Sequence, residues 1–358
     1  MKFLTIVGAR PQIIKASIIS STINQFYKNK INEIIVHTGQ HYDYEMSKIF
    51  FKEFKIKKPK FFLNISNLNH TAMVGKMIEQ IGKIILKEKP DLIIIYGDTN
   101  STLAGAICGA KHNIKIAHIE SGLRSHNLRM PEEINRIVSD RVSNFLYCPT
   151  NIAKKNLLIE GFKKMVSKKF FNYGDVMLDI HKKYKKRLYI KLKDRDYYLL
   201  TVHREENCKK LILDNILDNI IELSKERKVI FPAHPRISNY VKNKIKNHNI
   251  ELIKPVGYFD FGNLIHNSHS VITDSGGVQK ESYFFKKNCF VLRTETEWPE
   301  LLHSKNNLIN PNNDNFYKII KKYNHNINNK FNQSLYGNGN ASLKILKSLH
   351  SLMNKRSI

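Results

Sequence analysis

The stretch DLIIIYGDTNSTLAGAICGAKHNIKIAHI, residues 91–119, decides the fold. It opens with the apolar run LIIIY, continues through a segment with a helical pattern, NSTLAGAICGAKH, and closes with a second apolar run, IKIAHI. Continuous apolar runs are typical of strands buried on both faces, because alternation with polar residues would expose one face to water. A helical segment between two such runs predicts a parallel sheet that helices cover on both sides.

The same alternation extends outward in both directions. Further strand-like runs are KFLTIV, EIIVH and FLYCP in the first half and, after about residue 190, YYLLTV, KVIFPA, IELIKPV, SVITDS and CFVLR. Helical patterns follow them, which predicts an α/β protein with two doubly wound Rossmann-like domains of similar design. We expect a first domain over residues 1–185, a second over 186–339, and an amphipathic helix within 340–358 that packs back on the first.

The composition limits the classes of function. Lys and Arg outnumber Asp and Glu by 59 to 31, but the lysines are scattered and form no basic stripe with interleaved aromatic residues, which argues against nucleic acid as a partner. No apolar run is long enough for a membrane-spanning helix, and the N-terminus lacks the pattern of a signal peptide. The four cysteines are far apart, which disfavours disulfides and predicts a cytoplasmic location. His37 and His41 form only a weak metal-ligating pair, so no metal is expected.

The unusual polar residues of the chain collect in loops that follow the predicted strands. Ligands of doubly wound sheets bind at the carboxyl ends of the strands, so these loops are the candidate site. Two such domains are expected to place them on facing walls of one central cleft. The loops are GARPQ, HTGQH, GDTNST, HIESGLRSHNLRMPEE, VHREEN, AHPR and TDSGGVQKE.

The fourth of these loops, within residues 118–136, holds a high density of acids and bases, including Glu120 and the adjacent Glu132 and Glu133. Such density suits a site that transfers protons and holds an anion. Glu120 ends its strand about a dozen residues before the next helix, so it cannot cap that helix. Asp98, at the end of the preceding strand, either joins the site or caps the helix that follows it, and the sequence leaves both open.

The loop TDSGGVQKE predicts an anion-binding turn. Ser275, Gly276 and Gly277 precede a helical pattern, and adjacent glycines let backbone N–H groups approach a diphosphate at the helix N-terminus. The alternative is a plain strand-to-helix turn. The glycine fingerprints of phosphate-binding loops and of dinucleotide-binding folds are missing from the sequence, which argues against phosphoryl transfer and against a nicotinamide cofactor.

Three basic side chains follow other strands. Arg10 lies after the first strand and is either a ligand or a solvated residue. His203 and His234 end two strands of the second half. A single histidine is usually structural, but two at one edge of a sheet favour a ligand-binding wall.

The motifs GARP with Lys15, GQH, YGDTNST, HIESGLRS, PEEINR, GD at Gly174, HREEN, DSGG-Q-E and ETEWPE resemble, in order and spacing, those of non-hydrolysing UDP-N-acetylglucosamine 2-epimerases. The resemblance covers nearly the whole chain. It implies the GT-B fold, a UDP-sugar substrate, a homodimer and no cofactor. It also implies that Asp98, Glu120 and Glu132 are the catalytic carboxylates and that His203 is a catalytic-site histidine. The positions that match ligands of UDP or of the sugar nucleotide are Arg10, Lys15, Arg136, His234, Phe261, Ser275, Gly276, Gly277 and Glu281.

Several positions depart from the standard members of that family. Gln12 replaces a Glu, the loop before PEE is shorter, and Lys280 replaces a second Glu. These features resemble a branch that acts on UDP-2,3-diacetamido-2,3-dideoxyglucuronic acid. Tyr42 stands where standard members have an Arg, which puts an allosteric UDP-GlcNAc site in doubt.

The implied reaction explains the residue types. No carbonyl adjoins C2 of a 2-acetamido sugar, but expulsion of UDP from C1 develops positive charge that acidifies the C2 hydrogen, and a carboxylate removes it. The 2-acetamidoglucal then takes a proton on its other face, and UDP returns to C1. The resemblance thus implies interconversion of UDP-GlcNAc and UDP-ManNAc, or of a diacetamido-uronate analogue, for surface polysaccharide precursors. The alternatives are a UDP-sugar glycosyltransferase and a non-catalytic nucleotide-sugar binding protein, and neither needs three carboxylates together.

Overall fold

The structure, a computed structural model, describes residues 1–40, 44–233, 235–302, 306–313, 315–324 and 334–354. The chain divides into two compact units, which are described separately below. The first unit consists of Met1–Lys183 with Gln333–Ile358, and the second of Tyr184–Asn332.

The first unit is built on a parallel sheet of seven strands within the described residues, in the order β3-β2-β1-β4-β5-β6-β7. The long central strands are almost completely buried, as their continuous apolar sequences predict. The strands are β1 (Lys2–Val7), β2 (Asn32–His37), β3 (Phe61–Phe62), β4 (Leu92–Tyr96), β5 (Lys115–Ile119), β6 (Phe145–Cys148) and β7 (Lys169–Asn172).

Helices connect these strands, and hydroxyl or amide side chains begin several of them. Asn69, Thr99 and Thr150 each accept a hydrogen bond from a backbone N–H in the first turn of the helix that follows. The helices are α1 (Arg10–Thr22, extended by a π-helical turn at Ile23–Tyr27), α2 (Tyr44–Glu53), α3 (His70–Glu88), α4 (Asn100–Lys111), α5 (Pro131–Val142), α6 (Asn151–Ile159, followed by a 3₁₀ turn at Phe162–Lys164) and α7 (Val176–Lys183).

The C-terminal helix packs on the first unit, against α1 and α7. The buried carboxylate of Asp179, on α7, accepts hydrogen bonds from the backbone N–H groups of Ala341 and Ser342 at 3.0 and 2.7 Å and from the Ser342 hydroxyl at 2.7 Å. Asp179 therefore caps this helix from another element, which fixes where the chain returns.

The second unit repeats the design with a parallel sheet of six strands in its described part, in the order β10-β9-β8-β11-β12-β13. The strands are β8 (Tyr198–Thr201), β9 (Val229–Pro232), β10 (Ile250–Ile253), β11 (Ser270–Thr273), β12 (Asn288–Leu292) and β13 (Asn306–Ile309). The helices are α8 (Lys185–Leu188), α9 (Lys210–Ser224), α10 (Pro235–Lys244), α11 (Tyr258–Asn267), α12 (Gly276–Phe284), α13 (Pro299–Leu302) and α14 (Phe316–Asn324), and the C-terminal helix of the first unit is α15 (Ala341–Asn354).

Both strand orders are those of Rossmann-type sheets, so the doubly wound architecture predicted from the sequence is confirmed for each unit. Within the described residues, none of the helices is long and apolar enough to cross a membrane.

Candidate active site

Each sheet has a switch point, where two neighbouring strands send their helices off in opposite directions and leave a crevice at their carboxyl ends. In the first unit it lies between β1 and β4, and in the second between β8 and β11. The candidate residues Arg10 and Asp98 follow the first pair of strands, and His203 and Ser275 follow the second pair. The fold therefore brings the predicted loops to the positions where doubly wound sheets bind ligands.

Gln12 fixes the switch point of the first unit from beneath. It is 1% exposed, and its Oε1 accepts hydrogen bonds from the backbone N–H groups of Gly8 and Ala9 at 2.8 and 3.2 Å. Its Nε2 donates to the Tyr96 carbonyl oxygen and to Thr102 Oγ1, both at 2.9 Å. An ionised Glu could accept the first pair of bonds but could not donate the second, so the amide suits this position. Gln12, used above to indicate a substrate branch, is thus a structural bridge between the ends of β1 and β4.

Asp98 is held by a buried arginine. Its carboxylate accepts a 2.5 Å hydrogen bond from Arg136 Nη2, and its backbone carbonyl accepts from Asn135 Nδ2 at 2.9 Å. The N-cap of α4 is Thr99, whose side chain accepts from the Thr102 N–H. The capping alternative for Asp98 is therefore wrong, and its half-buried side chain remains a candidate for chemistry.

Glu120 has a strained backbone. Its φ of 70° lies in the left-handed region, which costs a residue with a long side chain roughly 1–3 kcal/mol. The backbone N–H groups of Glu120 and Ser121 both donate to the Tyr147 carbonyl oxygen, which holds this conformation in place. The buried carboxylate forms an ion pair with Lys15 of α1. Backbone strain clusters at active sites, ligand clamps and switch regions, so a strained residue with a buried, paired carboxylate is a candidate for function.

The two adjacent glutamates of α5 have different surroundings. Glu133 is 1% exposed, and its carboxylate accepts hydrogen bonds from the N–H groups of Ser125 and His126, both at 2.9 Å, and from Arg136 Nη1 at 2.7 Å. Burial pushes the pKa of Glu133 upward, but these donors outweigh it and leave the pKa below its ordinary value. Glu132 is only half-buried in the first turn of the same helix. Glu133 therefore shapes the loop, whereas Glu132 stays a candidate for the chemistry.

Arg136 links the carboxylates of Asp98 and Glu133. It was predicted as a ligand of the nucleotide sugar, and the structure places its guanidinium, 2% exposed, between Asp98 and Glu133. The contact that the geometry supports is with Asp98, whose orientation it fixes.

Arg124, a second basic residue of the loop within 118–136, is also internal. It binds the Glu160 carboxylate through two hydrogen bonds, at 2.6 and 2.8 Å, and Asp140 at 2.7 Å. Burial opposes the charge, yet these two acids raise the pKa of Arg124 above its ordinary value. Arg129, by contrast, is exposed. Arg10, half-buried, lies with its guanidinium carbon 5.0 Å from the centre of the Phe50 ring.

In the second unit, Asp274 lies at the switch point, although it is not among the residues predicted from the sequence. The single backbone N–H of His203 donates to both oxygens of this fully buried carboxylate, at 3.0 Å to Oδ1 and 2.9 Å to Oδ2. The carboxylate also accepts from the Arg204 backbone N–H at 2.9 Å and from Asn207 Nδ2 at 3.1 Å. It therefore joins the ends of β8 and β11 as Gln12 joins those of β1 and β4. The His203 side chain is exposed at this edge. Its position between a predicted strand and the predicted glycine turn could have identified Asp274 from the sequence.

The turn after β11 leads into a helix as predicted, but α12 begins earlier than expected, with Ser275 at the N-cap position and Gly276 first in the helix. A Cβ on Gly276 would lie 2.1 Å from Glu297 Oε1, so this glycine makes room for a carboxylate of the chain itself. Arg293 Nη1 holds the other oxygen of Glu297 at 2.8 Å. A Cβ on Gly277 would meet only Ser275 Oγ, at 4.0 Å. The Cβ position of Gly277 is therefore open, whereas that of Gly276 is occupied by the Glu297 carboxylate.

The remaining predicted ligands in the second unit differ in placement. Phe261 of α11 and Glu281 of α12 are both buried. Lys280 is 2% exposed, with its ammonium 4.2 Å from the centre of the Trp298 ring. His234 lies outside the described residues, as do His41 and Tyr42 of the first unit. Across the described ranges, no cluster of three or more His, Cys, Asp or Glu side chains could hold a metal ion.

Two Rossmann-type units with these switch points define a protein of the GT-B class, and the fold comparison below confirms that prediction. Residues 25–350 match the family model described as UDP-N-acetylglucosamine 2-epimerase. The chain belongs to this family.

Similar proteins extend over the full chain. A UDP-N-acetylglucosamine 2-epimerase homolog of Methanococcus maripaludis is 46% identical over 98% of this chain and 100% of its own length. The UDP-2,3-diacetamido-2,3-dideoxy-D-glucuronate 2-epimerase of Pseudomonas aeruginosa is 43% identical with the same coverage. The crystal structure of Methanocaldococcus jannaschii UDP-GlcNAc 2-epimerase in complex with UDP-GlcNAc and UDP is similar with a TM-score of 0.88, at 40% identity, over 98% of this chain and 99% of that one.

Proposed function

We propose that the protein is a non-hydrolysing 2-epimerase that interconverts UDP-GlcNAc and UDP-ManNAc. The observation that carries the proposal is the strained Glu120, paired with Lys15 at the same sheet edge as Asp98 with its buried Arg136. A protein that only binds nucleotide sugars does not need acids for proton transfer at that edge.

The reaction requires two proton transfers and a leaving group. A carboxylate takes the C2 proton, the electron pair of that C–H bond forms a C1–C2 double bond, and the C1–O bond breaks with its electrons on UDP. In the return step an acid protonates C2 on the opposite face while the β-phosphate oxygen of UDP re-forms the bond to C1. Carboxylic groups on both faces are needed, and Asp98, Glu120 and Glu132 are the candidates for these roles.

The second unit is assigned the binding of UDP. The N-terminus of α12 carries partial positive charge, and the open space beside Gly277 would admit a diphosphate close to the backbone. When the C1–O bond breaks, the β-phosphate of UDP gains negative charge. The fixed positive potential at the N-terminus of α12 would stabilise the expelled UDP.

A diacetamido-uronate is the second candidate substrate. The P. aeruginosa relative carries that sugar in its name, and Lys280 departs from the standard family pattern in the same direction. Incubation with each UDP-sugar separately, followed by NMR of the anomeric region, decides between the two, because neither conversion needs an acceptor.

Isotope labels test the mechanism. In D₂O the product epimer is expected to carry deuterium at C2, since the incoming proton comes from an enzyme acid that exchanges with solvent. A label in the C1–O–P bridge is expected to scramble into non-bridging positions of the β-phosphate while UDP stays bound. NMR measures both. Conversion with protium retained at C2 and no scrambling would refute the elimination, and scrambling without exchange at C2 would indicate glycosyl transfer.

Gly277→Ala tests the UDP turn without disturbing Glu297. We expect UDP to bind about tenfold more weakly, or worse, because a methyl group would obstruct the approach of the diphosphate; tenfold corresponds to about 1.4 kcal/mol. Stability should rise by roughly 0.5–1 kcal/mol, since Ala suits a helix better than Gly does. Calorimetry and thermal unfolding measure the two quantities.

Gly75→Ala is the matched control for that variant. Gly75 lies in α3 of the first unit, and a Cβ there would meet nothing within 4 Å. This control should gain stability and leave UDP affinity unchanged. Unweakened UDP binding by Gly277→Ala would show that the diphosphate lies elsewhere.

A further inference from the structure

A histidine that the proposed mechanism does not use lies beneath the carboxylates. His118, on β5, is completely buried two residues before Glu120. Its Nδ1 is 2.7 Å from Asp140 Oδ1 on α5, and its Nε2 is 2.7 Å from the carbonyl oxygen of Gly97. The ring therefore connects a helix to the turn that carries Asp98.

Both partners of His118 are acceptors. A carbonyl oxygen has no proton to give. The other oxygen of Asp140 accepts hydrogen bonds from Arg124 Nη1 at 2.7 Å and from the Gly122 backbone N–H at 3.0 Å, as an ionised carboxylate does, so Asp140 is also an acceptor. Each ring nitrogen must then donate, which requires a proton on both. The hydrogen-bond geometry thus describes a buried imidazolium.

The neighbouring charges make a buried imidazolium tolerable. Asp140 faces it from α5, and Arg124 of the loop binds the other oxygen of Asp140 at 2.7 Å. Glu160 neutralises Arg124 in turn. Two cations and two anions therefore alternate from the buried His118, Asp140 and Arg124 to the partly exposed Glu160, the arrangement that buried charges need.

Gly97 is the part of this network that touches the candidate site. Its φ of 62° turns the chain between β4 and Asp98. A Cβ on Gly97 would lie 3.3 Å from both Glu120 Oε1 and Lys15 Nζ. The carbonyl that His118 holds thus belongs to the turn between the two carboxylates.

We propose that His118 is a positioning residue for the epimerase reaction: its doubly protonated ring ties the Gly97 carbonyl to Asp140 and so sets the relative positions of Asp98 and Glu120. The proposal rests on the proposed function. It assigns His118 no contact with the sugar, and it gives Asp140 a role as the anion that keeps the ring charged.

The protonation state is tested first, by ¹⁵N NMR of the full-length protein labelled at histidine. At pH 8, exposed histidines are neutral, because their usual pKa is about 6.5. We expect one ring with two protonated nitrogens, assigned by its loss in His118→Gln. A His118 ring with one unprotonated nitrogen would overturn the proposal. This readout needs no activity, so it stands apart from any failure of the proposed function.

The kinetic test compares His118→Gln with wild type. Gln can donate from one place only, so the Gly97 turn or Asp140 loses its partner. We expect kcat to fall by about tenfold to a hundredfold, the scale of an ångström of misplacement, with KM changed by less than about threefold. UDP affinity should not change. Full kcat per folded molecule, with only the melting temperature lowered, would reduce His118 to a structural residue and refute the proposal.

Asp140→Asn keeps the test decisive if His118→Gln does not fold. The amide is the same size but uncharged, so the His118 ring should lose its second proton in the NMR spectrum and kcat should fall with it. A variant that loses the second proton and keeps full kcat would refute the positioning role. Wild-type protein that epimerises nothing would refute the proposed function instead.

Discussion

Glu120→Gln is expected to lower kcat by about a hundredfold or more, the usual scale for a lost acid or base. The amide keeps the shape of the side chain but can neither take the C2 proton nor return one. Asp98→Asn and Glu132→Gln are expected to have losses of the same size, because the reaction needs groups on both faces of the sugar. Steady-state conversion of UDP-GlcNAc, with folding checked by circular dichroism, measures all three.

Glu88→Gln is the matched control for Glu120→Gln. Glu88 is also a buried glutamate in an ion pair, with Lys60 at 2.7 Å, but it lies at the C-terminus of α3, near the start of β1. Its loss should cost stability and leave kcat unchanged. If Glu120→Gln turned over as fast as Glu88→Gln, the catalytic assignment would be lost.

Glu133→Gln should damage the fold of the loop rather than the chemistry directly. The Glu133 carboxylate uses both of its oxygens to accept these three hydrogen bonds. An amide has only one oxygen, and its NH₂ group cannot accept, so at least one buried donor loses its partner. We expect a loss of about 3 kcal/mol in the free energy of unfolding, the scale for a broken buried ion pair. Thermal and urea unfolding measure it.

The pH dependence of that loss follows from the lowered pKa of Glu133. A lowered carboxylate pKa contributes stability above the unfolded value, near 4.5, and this contribution disappears as the pH falls through the folded value. The difference between wild type and Glu133→Gln should therefore be full at pH 7 and shrink on acidification below about 4.5. A difference that stayed constant with pH would mean that the charge of Glu133 is not what holds the loop.

The neighbouring variant sharpens the comparison. Glu132→Gln, one residue away on α5, should lose activity without a comparable loss of stability, because Glu132 is only half-buried. Two adjacent glutamates would then separate catalysis from architecture. Equal melting temperatures for the two variants would contradict the division of roles.

Local patterns predicted the elements because buried parallel strands require continuous apolar runs, and these are readable at each position. The pattern also placed Asp98 and Glu120 at strand ends. It could not choose between catalysis and capping for Asp98, since that depends on whether Thr99 takes the cap. The left-handed backbone of Glu120 has no local signature either, because distant partners such as Tyr147 impose it.

Partners far apart in sequence account for the other differences. Arg124 and Arg136 are of the residue type that binds anionic ligands, but each is paired with a buried acid of the chain itself. The sequence showed Gln12 only as a departure from the standard family pattern. Its structural role, a pair of hydrogen bonds to Tyr96 and Thr102 across the switch point, could not be predicted from the sequence. The roles of the predicted site residues, the homodimer and the cytoplasmic location stay predictions.

Gln12 and Asp274 have a consequence for how such enzymes diversify. Each is buried and directs its hydrogen bonds to the chain's own backbone or side chains at the ends of two strands. The positions of the loops are thereby set by residues other than those that would contact the sugar. Substitutions on the outer surface of the loops are therefore expected to leave the hydrogen bonds of Gln12 and Asp274 intact. A change of sugar would then involve the residues that contact it, whereas a change such as Gln to Glu at position 12 would alter how the ends of β1 and β4 are joined.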